Sequence, residues 1–255
     1  LGRQDYFYSL FVFLKMLYGL IGYPLSHSFS KKYFTEKFAR EDIQARYELF
    51  ELKDIQDLPA LLAQYPNLKG LNVTIPHKQS VIPYLTRLAP SAEKVGAVNV
   101  IKIEKDGSLI GHNTDYTGFR ITLEAFLAGK QPKALILGNG GAGKAVEAVL
   151  KDLNLAYTTI GRSASVTFEM VTPTMVGEHL LVINTTPLGM YPNVETLPTL
   201  PYHAFTSAHF AYDLVYNPEE TLFLKQAKEQ GANVHNGLAM LHTQAEEAWR
   251  VFGNT

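Results

Sequence analysis

Cysteine is absent from the 255 residues. That excludes a disulfide framework, a thiolate metal site and a catalytic thiol, and it is compatible with the cytosol. Charge is scarce, at 18% of residues, and nearly balanced, with 23 Lys plus Arg against 24 Asp plus Glu. With a formal net charge of −1 and no basic block, nucleic acid is not an expected partner. An uninterrupted membrane span is missing too. Tyr6 to Tyr23 comes nearest, but Lys15 breaks it and no small-residue cleavage pattern follows. What is there, 46% hydrophobic residues in a chain of this length, fits a globular enzyme of one large or two modest domains, without metal.

The chain reads as alternating strands and helices. Leu17 to Gly22 is a first buried strand leading into the Pro24 turn, and residues 1–15 are expected to be an upstream extension or an expression remnant. A helix over 30–40 follows, with Phe34 and Phe38 four apart and Ser30 as its natural cap. Strands are expected at 47–52 and 70–75, with a helix near 55–64 between them. Lys105-Asp-Gly107 marks a hairpin between 98–103 and 108–111, its Gly supplying a positive φ. A helix over 117–127 leads to strands at 134–137, 156–160, 180–184, 210–215 and 233–235. Asn217-Pro-Glu-Glu220 has the form of a helix start. The last helix carries Leu238, Leu241, Ala245, Ala248, Trp249 and Phe252 as an apolar stripe. Gln244 flanks that stripe, so it is either exposed at its edge or faced by something polar.

Gly138-Asn-Gly-Gly-Ala-Gly143 joins the apolar run Ala134–Leu137 to a helical stretch. The spacing is G-x-G-x-x-G in a strand–turn–helix context, which is the dinucleotide fingerprint. The first glycine permits the tight turn, the second a close backbone approach to pyrophosphate, and the third helix–strand packing. The helix N-terminus then faces the anion. Gly138, Asn139, Gly140, Gly141, Ala142 and Gly143 are the candidate cradle. An acid about 20 residues on would bind the ribose hydroxyls of NAD, and methyltransferases want a carboxylate there as well. Here the second strand ends instead in Gly161-Arg162-Ser163. Arg162 can fork onto a 2′-phosphate with Ser163 adding a hydroxyl, which points to NADP; the competing reading of Arg162 is a solvated surface residue.

Three polar segments precede that unit. Ser26 and Ser28 sit just ahead of a helix N-terminus and suit a carboxylate. In Asn72-Val-Thr74-Ile-Pro-His77-Lys78, Asn72 and Thr74 share one strand face and Lys78 enters the following turn. Taken alone, Lys78 is commonly a solvated residue, and His77 reads as structural or exposed. Asn99 ends Gly96-Ala-Val-Asn99, and Asp115 lies near a helix start, where capping is its competing role.

These segments resemble shikimate dehydrogenase from Met16 to Phe252. The matching marks are Ser26-His-Ser28, Asn72–Lys78, Gly96–Asn99, Asn113–Asp115, Gly138–Gly143, Asn184–Met190, Tyr212–Pro218 and Gly237–Gln244, in that order. The resemblance implies an α/β fold: an N-terminal α/β substrate domain plus a Rossmann-type doubly wound NADP-binding domain. Their expected extents are 16–117 with 238–255, and 118–237, with the active site in the groove between. It implies that Lys78 and Asp115 form the catalytic pair and that Ser26 and Ser28 hold a carboxylate. Thr74, Asn99, Tyr216 and Gln244 would bind ring hydroxyls, and Thr186, Leu214 and Gly237 would approach the nicotinamide. Departures from the family pattern are Lys31 for a proline, Val100 for a threonine, Tyr116 for a glycine, Gly161-Arg-Ser163 for Asn-Arg-Thr, and a short segment from Ser163 to Leu180.

The activity implied is NADPH-dependent, reversible reduction of 3-dehydroshikimate to shikimate in aromatic amino-acid biosynthesis, by a cytoplasmic monomer or homodimer. Two alternatives stay open: an enzyme that also oxidises quinate or uses NAD, and a non-catalytic NADP-sensing module. The second would have no reason to keep both Lys78 and Asp115.

Overall fold

Strand β1 (Met16–Gly22) shows how the sequence sorts itself into layers. The computed structural model describes residues 16–25, 28–162 and 164–253; Ser26, His27, Ser163 and the extension expected over 1–15 lie outside them. Side chains of a strand alternate between faces. Leu17 and Ile21 accordingly enter one cluster with Phe50, Leu71, Val73 and Ile101. Tyr18 goes to the other face, where its ring meets the single tryptophan, Trp249, at 5.3 Å and Phe252 at 5.0 Å.

The described residues fall into two compact units, one drawn from Leu1–Thr114 with Ala248–Thr255, the other from Asp115–Glu247. In the first, β1 is followed by α1 (Phe29–Arg40), β2 (Ala45–Glu51), α2 (Leu58–Gln64), β3 (Leu68–Val73), the one-turn helix α3 (His77–Ser80), β4 (Arg87–Leu88), α4 (Pro90–Val95), β5 (Val100–Ile103) and β6 (Leu109–His112). The sheet order is β2-β1-β3-β5-β6-β4. Both neighbours of β1 run parallel to it, while β5 is antiparallel to β3 and to β6. The expected hairpin turn is present: Gly107 has φ +85° and the Ser108 N–H donates to Asp106 Oδ1 at 2.9 Å. One cap differs from expectation. The Ser28 hydroxyl, not Ser30, caps α1 by accepting from Lys31 N. Ser30 lies one residue inside the helix and hydrogen-bonds Tyr47 instead.

The chain enters the second unit along α5 (Thr114–Leu127), which begins earlier than expected and puts Asp115 in its first turn. There follow β7 (Ala134–Leu137), α6 (Gly141–Asp152), β8 (Tyr157–Ile160), α7 (Pro173–Glu178), β9 (Leu181–Asn184), β10 (Phe210–Asp213), α8 (Leu222–Glu229), β11 (Asn233–His235) and α9 (Leu238–Val251). The sheet order is β11-β10-β9-β7-β8 and every pairing is parallel. Residues of β7 are buried throughout, as expected of a parallel strand covered on both faces. Leu135, Leu137 and Ala211 pack with Phe223 and Leu224 on one side; Tyr212 meets Phe119 at 5.1 Å on the other. From β8 the chain crosses to β9 on the opposite side of β7, which makes the end of β7 a topological switch point. Ligands of open α/β sheets bind outside the carboxyl ends of strands at such a point.

Two expectations for this unit are corrected. Asn217 and Pro218 do not start a helix: α8 begins at Leu222 with Thr221 as its cap, the hydroxyl accepting from Leu224 N at 3.4 Å. Residues 217–220 are held as a loop, the Asn217 carbonyl accepting from Tyr191 N and the Glu219 carbonyl from Asn236 Nδ2. Leu238, expected in the buried stripe, is 40% exposed because it opens α9; burial starts with Met240 and continues through Ala245, Ala248 and Trp249. The stretch between β8 and β9 is short on structure, as expected, holding a 3₁₀ turn (Phe168–Met170) and the six-residue α7. No helix among the described residues is long and apolar enough to cross a membrane.

Candidate active site

In the first unit the polar candidates gather at one end of the sheet. Strands β1 and β3 are parallel, and Ser28, Thr74 and Lys78 all follow their carboxyl ends, while Asn99 immediately precedes antiparallel β5. Thr74 is fixed through its backbone: its N–H donates to Ile21 O at 2.9 Å and its carbonyl accepts from His77 N at 2.9 Å. Its methyl lies so close to Gly22 that a Cβ there would collide with it. Asn72, expected beside Thr74 on one polar face, is instead buried, its Oδ1 accepting from the Tyr47 hydroxyl at 2.8 Å. Burial pushes the Tyr47 hydroxyl well above the ordinary tyrosine range, Ser30 partly opposing, so it stays a neutral donor.

Lys78 is half-buried in α3, and the backbone around it is pinned. Its carbonyl accepts from Val98 N at 2.7 Å. The neighbouring His77 is buried, with Nε2 2.7 Å from the Leu52 carbonyl. A carbonyl only accepts, so Nε2 carries the hydrogen and Nδ1 is left to accept from Ser80 Oγ at 3.4 Å. His77 is thus the structural half of its two readings: it anchors the turn that carries Lys78.

Asn99 is buried and serves α5 directly. Its Oδ1 accepts from Thr114 N at 2.7 Å, and its Nδ2 donates to Thr114 Oγ1 at 3.1 Å. This borrowed cap satisfies a helix-terminal N–H and leaves the second amide hydrogen of Asn99 for a ligand. Asn113 is committed to structure, donating to Ala97 O at 3.0 Å. Asp115, next in the chain after Thr114, is half-buried in the first turn of a 14-residue helix, where the dipole favours a carboxylate.

In the second unit the described cofactor candidates all follow carboxyl ends of parallel strands. Gly138 ends β7 with φ +113°, and a Cβ there would stand 2.6 Å from Thr185 Oγ1. At Gly143 a Cβ would lie 2.6 Å from the Gly138 carbonyl, so α6 can approach its own turn only as glycine. Gly140 and Gly141 differ: a Cβ at either meets nothing within 4 Å. Gly140 caps α6 without a side-chain bond, so the N–H groups of a 12-residue helix open onto that space beside half-buried Ala142. This is the cradle a pyrophosphate needs. Arg162 is exposed after β8, with no acid at that strand end; Ser163 lies outside the described residues. The backbones of Gly237 and Leu214 touch so closely that a Cβ at Gly237 would overlap Leu214. Tyr216 is half-buried, and desolvation raises its hydroxyl above the ordinary range. Gln244 is half-buried too, donating Nε2 to Leu241 O at 3.0 Å; it stands where α9 meets Gly118 of α5.

The loop that carries Thr186 depends on a residue sequence reasoning missed. Asp213 is fully buried and accepts from Asn184 Nδ2 at 2.9 Å, Val215 N at 3.0 Å and Thr221 Oγ1 at 2.6 Å. Asn184 Oδ1 in turn accepts from Thr186 N at 3.0 Å and Thr186 Oγ1 at 2.7 Å. Burial raises the Asp213 carboxyl to about 6 against these three donors. An acid in the last position of an otherwise apolar strand was the signal available in the sequence.

The departures from the family pattern have local partners. Lys31 pairs with Glu48 at 2.9 Å. Val100 is fully buried in β5. The Tyr116 hydroxyl donates to Asp152 at the end of α6 and accepts from Arg120 Nη1.

A glycine cradle at a helix N-terminus, on a switch point of a doubly wound parallel sheet and with arginine at the next strand end, defines a dinucleotide-dependent enzyme. The family model described as shikimate dehydrogenase substrate binding domain matches residues 20–101. The shikimate dehydrogenase (NADP(+)) of Methanosphaera stadtmanae is 34% identical, over 93% of this chain and 91% of that protein. That of Desulforamulus reducens is 36% identical, over 92% and 89%. The crystal structure of shikimate 5-dehydrogenase from Thermus thermophilus, in complex with NADP(H) and shikimate, is 32% identical with a TM-score of 0.80, covering 93% of each chain. The chain belongs to the shikimate dehydrogenase family.

Proposed function

We propose that this chain reversibly reduces 3-dehydroshikimate to shikimate with NADPH, in aromatic amino-acid biosynthesis. The observation that carries the reading is the open cradle at Gly140 and Gly141, with Arg162 and no carboxylate at the next strand end, in a chain of this family. The first unit takes the substrate role and the second the cofactor role, within the expected extents 16–117 with 238–255 and 118–237. Bound NADPH supplies the hydride that reaches the ketone carbon. Around it, Gly138 to Gly143 would hold pyrophosphate, Arg162 with Ser163 the 2′-phosphate, and Thr186, Leu214 and Gly237 the nicotinamide end.

Lys78 stabilises the negative charge that develops on the ketone oxygen and donates or relays the proton that completes the alcohol. Electrostatic stabilisation of that charge is the lysine's main task. Asp115 orients the ammonium. Ser26 and Ser28 hold the substrate carboxylate, although capping already engages the Ser28 oxygen, leaving its O–H to donate. Thr74, Asn99, Tyr216 and Gln244 bind ring hydroxyls, Asn99 through its remaining amide hydrogen. The enzyme works in the cytosol as a monomer or homodimer.

Steady-state oxidation of shikimate and of quinate, each with NADP⁺ and NAD⁺, tests this directly. The highest kcat/KM should fall to shikimate with NADP⁺. A preference for quinate or NAD⁺ would replace the substrate or cofactor assignment, and no turnover with any pair would favour a sensor. Arg162→Asp should raise the KM for NADPH by about 10–100-fold, the loss of charge-assisted bonds worth about 1.5–3 kcal/mol, and change that for NADH little. Equal losses for both cofactors would put Arg162 away from the 2′-phosphate.

A further inference from the structure

Gly161 is a glycine for reasons of space. Its φ lies outside the left-handed region, so its backbone is open to any residue. A Cβ built there, however, would stand 2.6 Å from Cγ and 2.7 Å from Oδ1 of Asn139. The Asn139 carboxamide therefore occupies the volume that a side chain at the end of β8 would fill. Asn139 belongs to the turn after β7, and Arg162 follows Gly161 directly. The amide lies beside the strand end that carries Arg162, on a residue of the turn that opens α6. Asn139 is exposed, while Gly161 beneath it is buried. A carboxamide offers both N–H donors and an oxygen acceptor, which suits phosphate oxygens and ribose hydroxyls alike.

We propose that Asn139, braced on Gly161, is a second determinant of 2′-phosphate recognition beside Arg162. Positions 139 and 161 then form one coupled unit, in which only one of the two can carry a long side chain. The departure Gly161 from the family pattern is the partner of Asn139, which supplies a polar side chain to the same place from the other strand's turn. This inference rests on the NADP reading given above.

The test is calorimetric titration of NADP⁺, NAD⁺ and 2′,5′-ADP into the wild type, Asn139→Ala, Gly161→Ala and the double variant. Asn139→Ala should weaken NADP⁺ and 2′,5′-ADP about tenfold, the scale of one hydrogen bond to a charged group, and NAD⁺ by less than about twofold. Gly161→Ala should displace the amide and reproduce that loss, and the double variant should be no worse than either single one. Asn139→Ala with unchanged NADP⁺ affinity, equal losses for NADP⁺ and NAD⁺, or losses that add in the double variant would overturn the proposal. Circular dichroism checks folding. Should Gly161→Ala not fold, Asn139→Asp decides with Asn139→Ala: the added negative charge should weaken NADP⁺ more than tenfold and spare NAD⁺, and a silent Asn139→Asp sinks the idea. A wild type that binds NAD⁺ as well as NADP⁺ and ignores 2′,5′-ADP would instead remove the cofactor reading itself. Normal NADP⁺ preference with a silent Asn139→Ala removes only the role of Asn139.

Discussion

Lys78→Ala should lower kcat by about 10²–10⁴-fold while the KM for shikimate changes far less. The split between the two constants follows from when the charge appears. The ketone oxygen is neutral in the ground state and gains negative charge only as hydride arrives, so a fixed cation there stabilises the transition state selectively. Fixed is the operative condition. The His77 ring anchored on Leu52 O and the Lys78 carbonyl held by Val98 N keep the base of the side chain in one place. On the proposed pairing, Asp115→Asn should follow the same pattern with a smaller fall. Single-turnover reduction measured by loss of NADPH absorbance reads the chemical step directly. An unaltered rate in Lys78→Ala would take this lysine out of the reaction.

Asp213→Ala should destabilise the protein by roughly 3–5 kcal/mol, because Asn184 Nδ2, Val215 N and Thr221 Oγ1 would all lose their acceptor in a buried place. For a protein of this size that corresponds to a fall in Tm of about 6–20 °C. The penalty should also vary with pH in a definite direction. The folded-state carboxyl sits at about 6, above its ordinary 3.8, so the folded protein holds this proton more tightly than the unfolded chain. The stability associated with that proton is fully present below 3.8 and is lost as pH rises through about 6. The gap between wild type and Asp213→Ala in urea titrations should therefore be wider near pH 4.5 than near pH 7.5. A gap that widens with pH would mean the three donors outweigh burial and the carboxylate is ionised throughout. Loss of the Asn184–Asp213 bond, which holds the amide that supports Thr186, should add a rise in KM for NADPH.

The strands of the second unit were legible because a buried parallel strand is a short apolar run, as in Ala134–Leu137, and the glycine turn after it is marked by its own spacing. The end of a strand is harder to read. Asp213 acquires its role from Asn184, Val215 and Thr221, which stand at different distances along the chain and meet only in the fold. The same bond explains the misplaced helix start: Asn217-Pro218 has good local signals, but the Thr221 hydroxyl both donates to Asp213 and caps α8, and that tertiary bond outweighs them. In the first unit, Ser28 and Ser30 compete for one cap, and only the packing of Tyr47 against Ser30 decides between them. Asn72 and Thr74 share a strand face by periodicity, yet Tyr47 takes one of them into the core. The division of the chain falls within α5 and α9, where no composition change marks it.

The contact between Asn139 and Gly161 also sets the order in which the two positions could have diverged. A side chain appearing at 161 would have to push the asparagine amide aside, whereas shortening residue 139 first would leave 161 open to many replacements. At this corner the route that shortens residue 139 first is therefore the easier one, since the other must displace the amide from its place.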